Sequence, residues 1–202
     1  QLADIPCQVL ELPQQGPQDH DSLAEALLSQ LGDTPFVLLG ESFSGPLAYR
    51  LALRNPTGMQ GLILAASFLQ PPHPLTTTVS HLPLPSNLCP PAWLLRLLCL
   101  GDAPQDVLRL LQNEILALPS ELLRCRLQAL AHLQPPTGQL PLSTLHLWPQ
   151  RDRLVMNQVA AGIADHCRNL RQERIEGPHF LLQSRPRACA QAIRSFMATL
   201  PG

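Results

Sequence analysis

Val37-Leu-Leu-Gly-Glu-Ser-Phe-Ser-Gly45 is the stretch whose reading decides the fold. An apolar run, Phe36 to Leu39, passes without a linker through Gly40-Glu41-Ser42-Phe43-Ser44 into a helical pattern from Gly45 to Arg54, which Asn55-Pro56 closes. A strand that turns this abruptly into a helix forces the residue at its apex into a strained backbone conformation and requires small residues at Gly40 and Ser44, where neighbouring backbones would otherwise collide. The turn would lift the Ser42 hydroxyl above the sheet edge. It would also place the Phe43 N–H, at the helix start, to donate to an oxygen that develops negative charge. The bland alternative is that Ser42 caps the helix, a common role for serine. Ser44 is the poorer nucleophile candidate, because Pro46 occupies the second position that would have to be small.

Outward from this turn the chain alternates strand and helix. Cys7 to Leu12 (CQVLEL) reads as a buried strand ending at Pro13, and a helix from about Ser22 to Leu31 follows, capped by Asp21 and ended by Gly32. Phe36 to Leu39 is the second strand and Gly61 to Ala66 (GLILAA) the third. A β-α-β-α-β order with short connections specifies a parallel sheet, and strands that are apolar without alternation fit a sheet covered on both faces. The pattern then breaks. Leu69 to about Leu88 reads as a Pro-, Ser- and Thr-rich loop, and Pro91 to about Leu133 as three helical pieces: Trp93 to Leu100, Pro104 to Leu118, and Ser120 to Leu133 with Ser120 as N-cap. After a second proline cluster, Ser143 to Trp148 is a strand, Gln158 to His166 a helix, Arg171 to Ile175 a short strand and Arg185 to Leu200 a closing amphipathic helix. The expected division is therefore 1–68 as the first part of an α/β core, 69–141 as a helical insertion and 142–202 as the second part of the core.

A serine hydroxyl needs a base. Loops after the strands of a parallel sheet gather at one edge, where Ser42 also sits. Gly177-Pro178-His179-Phe180 follows the last strand, which singles out His179 among seven histidines. His132 and His166 fall in helices, His146 in a strand, His73 and His81 in the Pro-rich loop, and His20 beside a helix start. An imidazole in turn needs an orienting acid. Asp152 lies just past the strand ending at Trp148, at the same edge; its alternative is a solvated turn or capping aspartate. Asp165, inside a helix, is worse placed. Ser42, Asp152 and His179 then stand in nucleophile-acid-base order along the chain.

Composition narrows the class. In 202 residues, hydrophobic residues make up 45% and charged residues 14%, the reverse of a disordered chain, and the length suits one domain. A net charge of −1 supplies no field for nucleic acid or an anionic membrane. All 14 basic residues are arginine, which reads as a coding bias. The six cysteines form no C-x-x-C pair and no zinc-binding spacing, so neither a metal nor an organic cofactor is implied. No apolar run reaches the roughly 18 residues of a membrane span and no signal peptide opens the chain, so the expectation is a soluble protein of the reducing cytoplasm.

On VLLGESFSG around Ser42, RDRLV around Asp152 and GPHFLLQSRP around His179, the chain resembles the α/β-hydrolase superfamily, as a small serine esterase with a helical cap. The resemblance covers nearly the whole chain. It implies a mostly parallel sheet flanked by helices, Ser42 as nucleophile, His179 as general base and then acid, Asp152 as the orienting acid and Phe43 as an oxyanion donor. It also implies a cap that lines the pocket for a small-molecule ester, with Trp93, Leu94 and Leu97 as candidate substrate-binding residues. The motifs do not separate an esterase from a thioesterase, lactonase or C–C hydrolase. Two departures stand out. Pro149 lies near the place where such chains usually carry a glycine before the acid. No His-Gly pair precedes Ser42, so the early strands and the second oxyanion donor of the superfamily are not in this sequence. That makes the chain read as part of a longer protein, leaves a non-catalytic binding domain as a further alternative, and leaves a sheet edge exposed through which copies could form a homo-oligomer.

Overall fold

The computed structural model describes residues 1–80 and 89–201. Its sheet has four strands in the order β1-β2-β3-β4, each neighbour parallel to the next: β1 Phe36–Glu41, β2 Met59–Ala65, β3 Thr144–Pro149 and β4 Leu170–Ile175. Before, between and after them run α1 His20–Leu28, α2 Ser44–Leu53, α3 Leu75–Ser80, α4 Ala92–Leu95, α5 Gln105–Ala117, α6 Ser120–Ala131, α7 Asn157–Ala161, α8 Leu181–Ser184 and α9 Pro186–Met197. This is the mostly parallel, helix-flanked sheet of the α/β class.

The continuous apolar runs are explained by cover on both faces. Along β2, Leu62 and Leu64 join Leu23, Leu27, Leu47 and Leu51 of α1 and α2 in one buried cluster. The alternate residues Ile63 and Ala65 join Leu145 and Leu147 of β3 with Leu181, Ile193 and Phe196 of α8 and α9 in another. The strand period of two thus sends successive side chains into two different cores. α9 lies so close to the sheet that a Cβ on Gly61 would come within 3.2 Å of the Phe196 ring.

Several local expectations are corrected. Cys7 to Leu12 is not a strand: it is irregular, and Val9 is 84% exposed. Leu10 and Leu12 do pack on the core, but the run has no ladder partner among the described residues, and an apolar run becomes a strand only where another strand accepts its backbone. The outer strands of the sheet are β1 and β4, so the edge expected at Cys7 to Leu12 falls at β1. Helix α1 starts earlier than expected, with Asp19 as N-cap accepting from the N–H groups of Asp21 (3.1 Å) and Ser22 (2.9 Å), which frees Asp21 to pair with Arg50 at 3.0 Å. Ser120 does not cap α6. Pro119 occupies that position with no side-chain bond, and Ser120 is already inside the first turn. The Pro-rich stretch contains α3, whose start is capped by His73 Nδ1 accepting from the Leu75 N–H at 3.1 Å; its remainder, 81–88 with His81, lies outside the described residues. Helix α4 continues into a π-helical turn, Arg96–Leu100, closed where the Gly101 N–H donates to Arg96 O at 2.7 Å, and α7 continues into a 3₁₀ turn, Gly162–His166. The closing helix expected from Arg185 to Leu200 is α9, with Pro186 in its first turn, and the short α8 precedes it.

Helices α4 to α6 lie between β2 and β3 in sequence; α4 and α5 share a small core of Leu95, Leu100, Ala103 and Leu108, while Leu130 of α6 packs on Phe68 and Trp148. They join the sheet-bearing part at defined points: the Phe180 N–H donates to Cys99 O at 3.0 Å, and Arg50 to Gln134 O at 3.1 Å.

Candidate active site

The turn after β1 is as tight as the sequence demands. Ser42 has φ 51°, the left-handed region that few side chains tolerate, and this costs of order 1–3 kcal/mol that the surrounding packing must offset. The turn is pinned from both sides. The Ser42 N–H donates to Ala65 O of β2 at 2.9 Å, and Ser42 O accepts from the Gly45 N–H at 2.9 Å. A Cβ on Gly40 would lie 2.8 Å from Ala48 Cβ, and one on Gly45 would overlap Ser67 Oγ. The second close approach thus falls at Gly45 rather than at Ser44, which is why a serine is accommodated at position 44.

His179 and Asp152 come from the loops after β4 and β3. These loops are zipped together: the Gln150 N–H donates to Ile175 O and the Arg151 N–H to Gly177 O, both at 3.0 Å. Gly177 is required because a Cβ there would meet Leu181 Cδ1 at 2.7 Å. The result brings all three sequence-selected residues into contact. Ser42 Oγ is 2.7 Å from His179 Nε2, and His179 Nδ1 is 2.8 Å from Asp152 Oδ2, with the His179 and Asp152 side chains each 3% exposed. The other carboxylate oxygen, Asp152 Oδ1, accepts from the N–H groups of Leu154 (2.8 Å) and Val155 (3.0 Å), so the acid is anchored by its own loop. A carboxylate on the Nδ1 side assigns the ring proton there. Nε2 is then left as the acceptor of the Ser42 O–H. An alcohol facing an imidazole that a buried carboxylate orients is an arrangement able to deprotonate the alcohol as it attacks.

Phe43 follows at the N-cap of α2, where the first N–H groups of a helix have no carbonyl behind them. Its ring packs on His20, 4.7 Å between centroids, with the Arg126 guanidinium 5.8 Å from its centre. His20 is 3% exposed, and burial, aided by the charge of Arg50, lowers its pKa to about 4, so it is neutral beside the site. Glu41, the residue before Ser42, turns its carboxylate toward α8: it accepts from the Leu182 N–H at 3.2 Å and from Gln183 Nε2 at 2.7 Å. Burial raises its pKa, against which the bonds from Gln183 and Leu182 act in part. Sequence reasoning singled out neither His20 nor Glu41. The signal for Glu41 was a lone carboxylate in an otherwise apolar strand end.

The residues flanking Asp152 behave differently. Arg151 and Arg153 are exposed, and with Trp93, Arg96, Leu97, Gly101 and Pro178 they line an open groove of about 350 Å³. Trp93 and Leu97 are 66% and 47% exposed. Trp93 and Leu97 sit on this groove beside the Arg151–Arg153 loop; Ser42 and Leu94 are not among its lining residues. Asp102 shares this rim, pairing with Arg185 at 2.6 Å and with Arg151 at 3.8 Å. All six cysteines are free, and burial pushes the thiols of Cys99, Cys167 and Cys189 up to about 11, which makes them poor nucleophiles. Among the described residues no three His, Cys, Asp or Glu side chains cluster to hold a metal ion, and no helix is long and apolar enough to cross a membrane.

Comparison with known proteins agrees with this fold. A thermophilic esterase superposes with a TM-score of 0.76 at 16% identity, covering 95% of this chain and 81% of its own. An esterase from Thermogutta terrifontis gives 0.70 at 21% identity, over 91% of this chain and 73% of its own. A membrane phospholipase A described as a bacterial virulence factor gives 0.72 at 21%, over 92% and 65%. At these identities the likeness concerns the fold. No curated protein sequence matches the chain. The model of the family described as "Serine aminopeptidase, S33" matches residues 14–181. With that match running over most of its length, the chain belongs to the S33 serine aminopeptidase family of α/β-hydrolases.

Proposed function

We propose that the protein is a serine hydrolase that cleaves small carboxylic esters through an acyl-Ser42 intermediate. The observation that carries this reading is the unbroken relay Ser42 Oγ–His179 Nε2 (2.7 Å) and His179 Nδ1–Asp152 Oδ2 (2.8 Å), presented by a strained serine at a strand-to-helix turn. Ser42 Oγ attacks the ester carbonyl while His179 takes its proton. Asp152 holds the ring and stabilises the imidazolium, and the Phe43 N–H donates to the oxygen of the tetrahedral intermediate. His179 then gives the proton to the departing alcohol. Water, deprotonated by the same imidazole, attacks the acyl-serine and releases the acid.

In this reading the helices between β2 and β3 act as a cap, part of the 69–141 insertion, and Trp93, Leu94 and Leu97 contribute to substrate binding. The six free thiols suit a reducing compartment, and the unpaired β1 edge is where two copies would meet if the protein self-associates. A fluorophosphonate probe tests the chemistry. The folded protein is expected to be labelled once, with labelling abolished in Ser42→Ala. An unlabelled folded protein, or labelling that persists in the variant, overturns the reading. A panel of oxygen esters, thioesters and lactones then ranks the substrate class, and ligand binding without turnover of any of them would point to a binding domain.

A further inference from the structure

The mechanism above gives Glu41 no part, yet its carboxylate joins both halves of the site. It is the last residue of β1, covalently next to Ser42, and its carboxylate accepts two hydrogen bonds from α8, the turn that follows His179. One side chain thereby joins the two segments that carry the reacting pair, 141 to 142 residues apart in sequence. No cation pairs with it among the described residues; the titratable groups that face it are His179 and the Cys189 thiol. A carboxylate kept from water without a counter-ion is expensive unless hydrogen bonds replace its hydration. A second observation concerns its partner. Gln183 directs its amide nitrogen to Glu41 while its own buried Oε1 has no partner among the described residues. Leaving a buried acceptor unmatched carries a penalty, so this orientation of the amide persists because the carboxylate requires the donor.

We propose that Glu41 is a positioning residue: it locks the loop carrying His179 to the turn carrying Ser42 and so sets the Oγ–Nε2 approach. The inference deepens the hydrolase reading and rests on it in its kinetic arm alone. Its negative charge also favours the imidazolium that His179 becomes when it takes the Ser42 proton.

Three variants separate the components. Glu41→Ala removes both bonds and the charge, Glu41→Gln keeps the shape and one acceptor without the charge, and Gln183→Leu removes one bond and keeps the charge. Two readouts are taken on each. One is the low-field NMR resonance of the proton on His179 Nδ1, which needs no turnover. The other is kcat and KM on an activated ester, alongside the rate of Ser42 modification by a fluorophosphonate. Glu41→Ala should broaden or shift the resonance and lower kcat by ~10–100-fold with KM within about twofold, the range expected for misplacing a reacting group by around an ångström. Glu41→Gln and Gln183→Leu should fall between it and the wild type. An unchanged resonance and kcat in Glu41→Gln and Gln183→Leu overturn the proposal, even if melting temperatures fall, and so does a loss confined to KM. A wild type that shows the resonance, loses it in Glu41→Ala, yet neither turns over esters nor labels keeps the positioning role and ends the hydrolase reading. A wild type that turns over and a folded Glu41→Ala that matches it do the reverse.

Discussion

The strand ends and the helices between β2 and β3 are held in different ways. At the strand ends each side chain is fixed by two things at once, a parallel ladder that sets the depth of the loop and a short turn that sets its direction. Ser42, His179 and Asp152 meet within 2.8 Å as a consequence. Helices α4 and α5 rest on a four-residue core, α6 packs through Leu130 on a cluster with Phe68 and Trp148, and the three leave Trp93, Leu97, Leu110 and Leu116 between 47% and 66% exposed. Precise chemistry can be built on the first arrangement. The second supplies apolar surface with looser placement, suited to contact with a ligand rather than to proton transfer.

The largest expected difference between the two regions is kinetic. Asp152→Asn leaves the side chain in place but removes the acceptor that fixes the His179 tautomer, and should lower kcat on an activated ester by ~10⁴-fold. Trp93→Ala, by contrast, should act on KM and leave kcat within about threefold, as expected for a group that contributes binding alone. Comparable kcat losses in the two variants would mean that the helical segment belongs to the reacting machinery and that the contrast is false.

Backbone tolerance should differ next. A Cβ on Gly40 meets Ala48 Cβ at 2.8 Å and also collides with the Ser44 backbone, so Gly40→Ala should cost ~3 kcal/mol or more in urea denaturation, as overpacking with no room to relax does. Gly101 closes the π-turn after α4 with φ 55°, but a Cβ there would sit 3.4 Å from Pro178 Cβ, an ordinary contact. With φ 55° and ψ −120°, a backbone region that side chains rarely adopt, Gly101→Ala should therefore cost about 1–3 kcal/mol, the backbone penalty without the clash.

Acid should weaken the sheet-bearing half through its buried imidazoles. His20 and His146 are 3% and 0% exposed, and desolvation lowers each to about 4. A histidine whose folded pKa lies below its unfolded value binds more protons unfolded, so its contribution is intact above about 6.5 and is lost as pH falls toward 4. Between pH 7 and pH 5 each should remove ~2 kcal/mol of stability. Urea midpoints measured at the two pH values should show the loss, and His146→Leu should flatten about half of it. A pH-independent midpoint in that window would show that the imidazoles are not held neutral by burial.

How far the sequence reached follows the same division. Parallel-sheet topology and the three contacting residues were legible because each rule acts over a few neighbours: an apolar run, a turn residue, a position just past a strand end. The failures were of two kinds. Cys7 to Leu12 has the composition of a strand, but a ladder needs a partner, and partnership is not a property of the run itself. Glu41 and His20 acquire their surroundings only when segments more than 20 residues apart close on one another; a lone carboxylate at an apolar strand end marks Glu41 but not what it bonds. The expected caps were misplaced for a smaller reason: Asp19 and Asp21 are chemically equivalent, and only the path of the preceding chain decides which oxygen reaches the first turn.

That last ambiguity gives the finest test of the comparison. Asp19 Oδ1 accepts from two N–H groups at the start of α1, a helix buried against the sheet through Leu23, Ala24 and Leu27. Those donors have no carbonyl within the helix, so Asp19→Ala leaves them to water and should cost ~1 kcal/mol. Ser120, which the sequence offers as the equivalent for α6, makes no capping bond, because Pro119 already stands at that position. Ser120→Ala replaces a half-buried hydroxyl that caps nothing with the best helix former and should change stability by less than about 0.5 kcal/mol, in the stabilising direction. Thermal melts of the two variants measure the difference. Equal losses would place a working cap on α6 as well, and the helical segment would then be held at its ends as firmly as the strand-linked helix is.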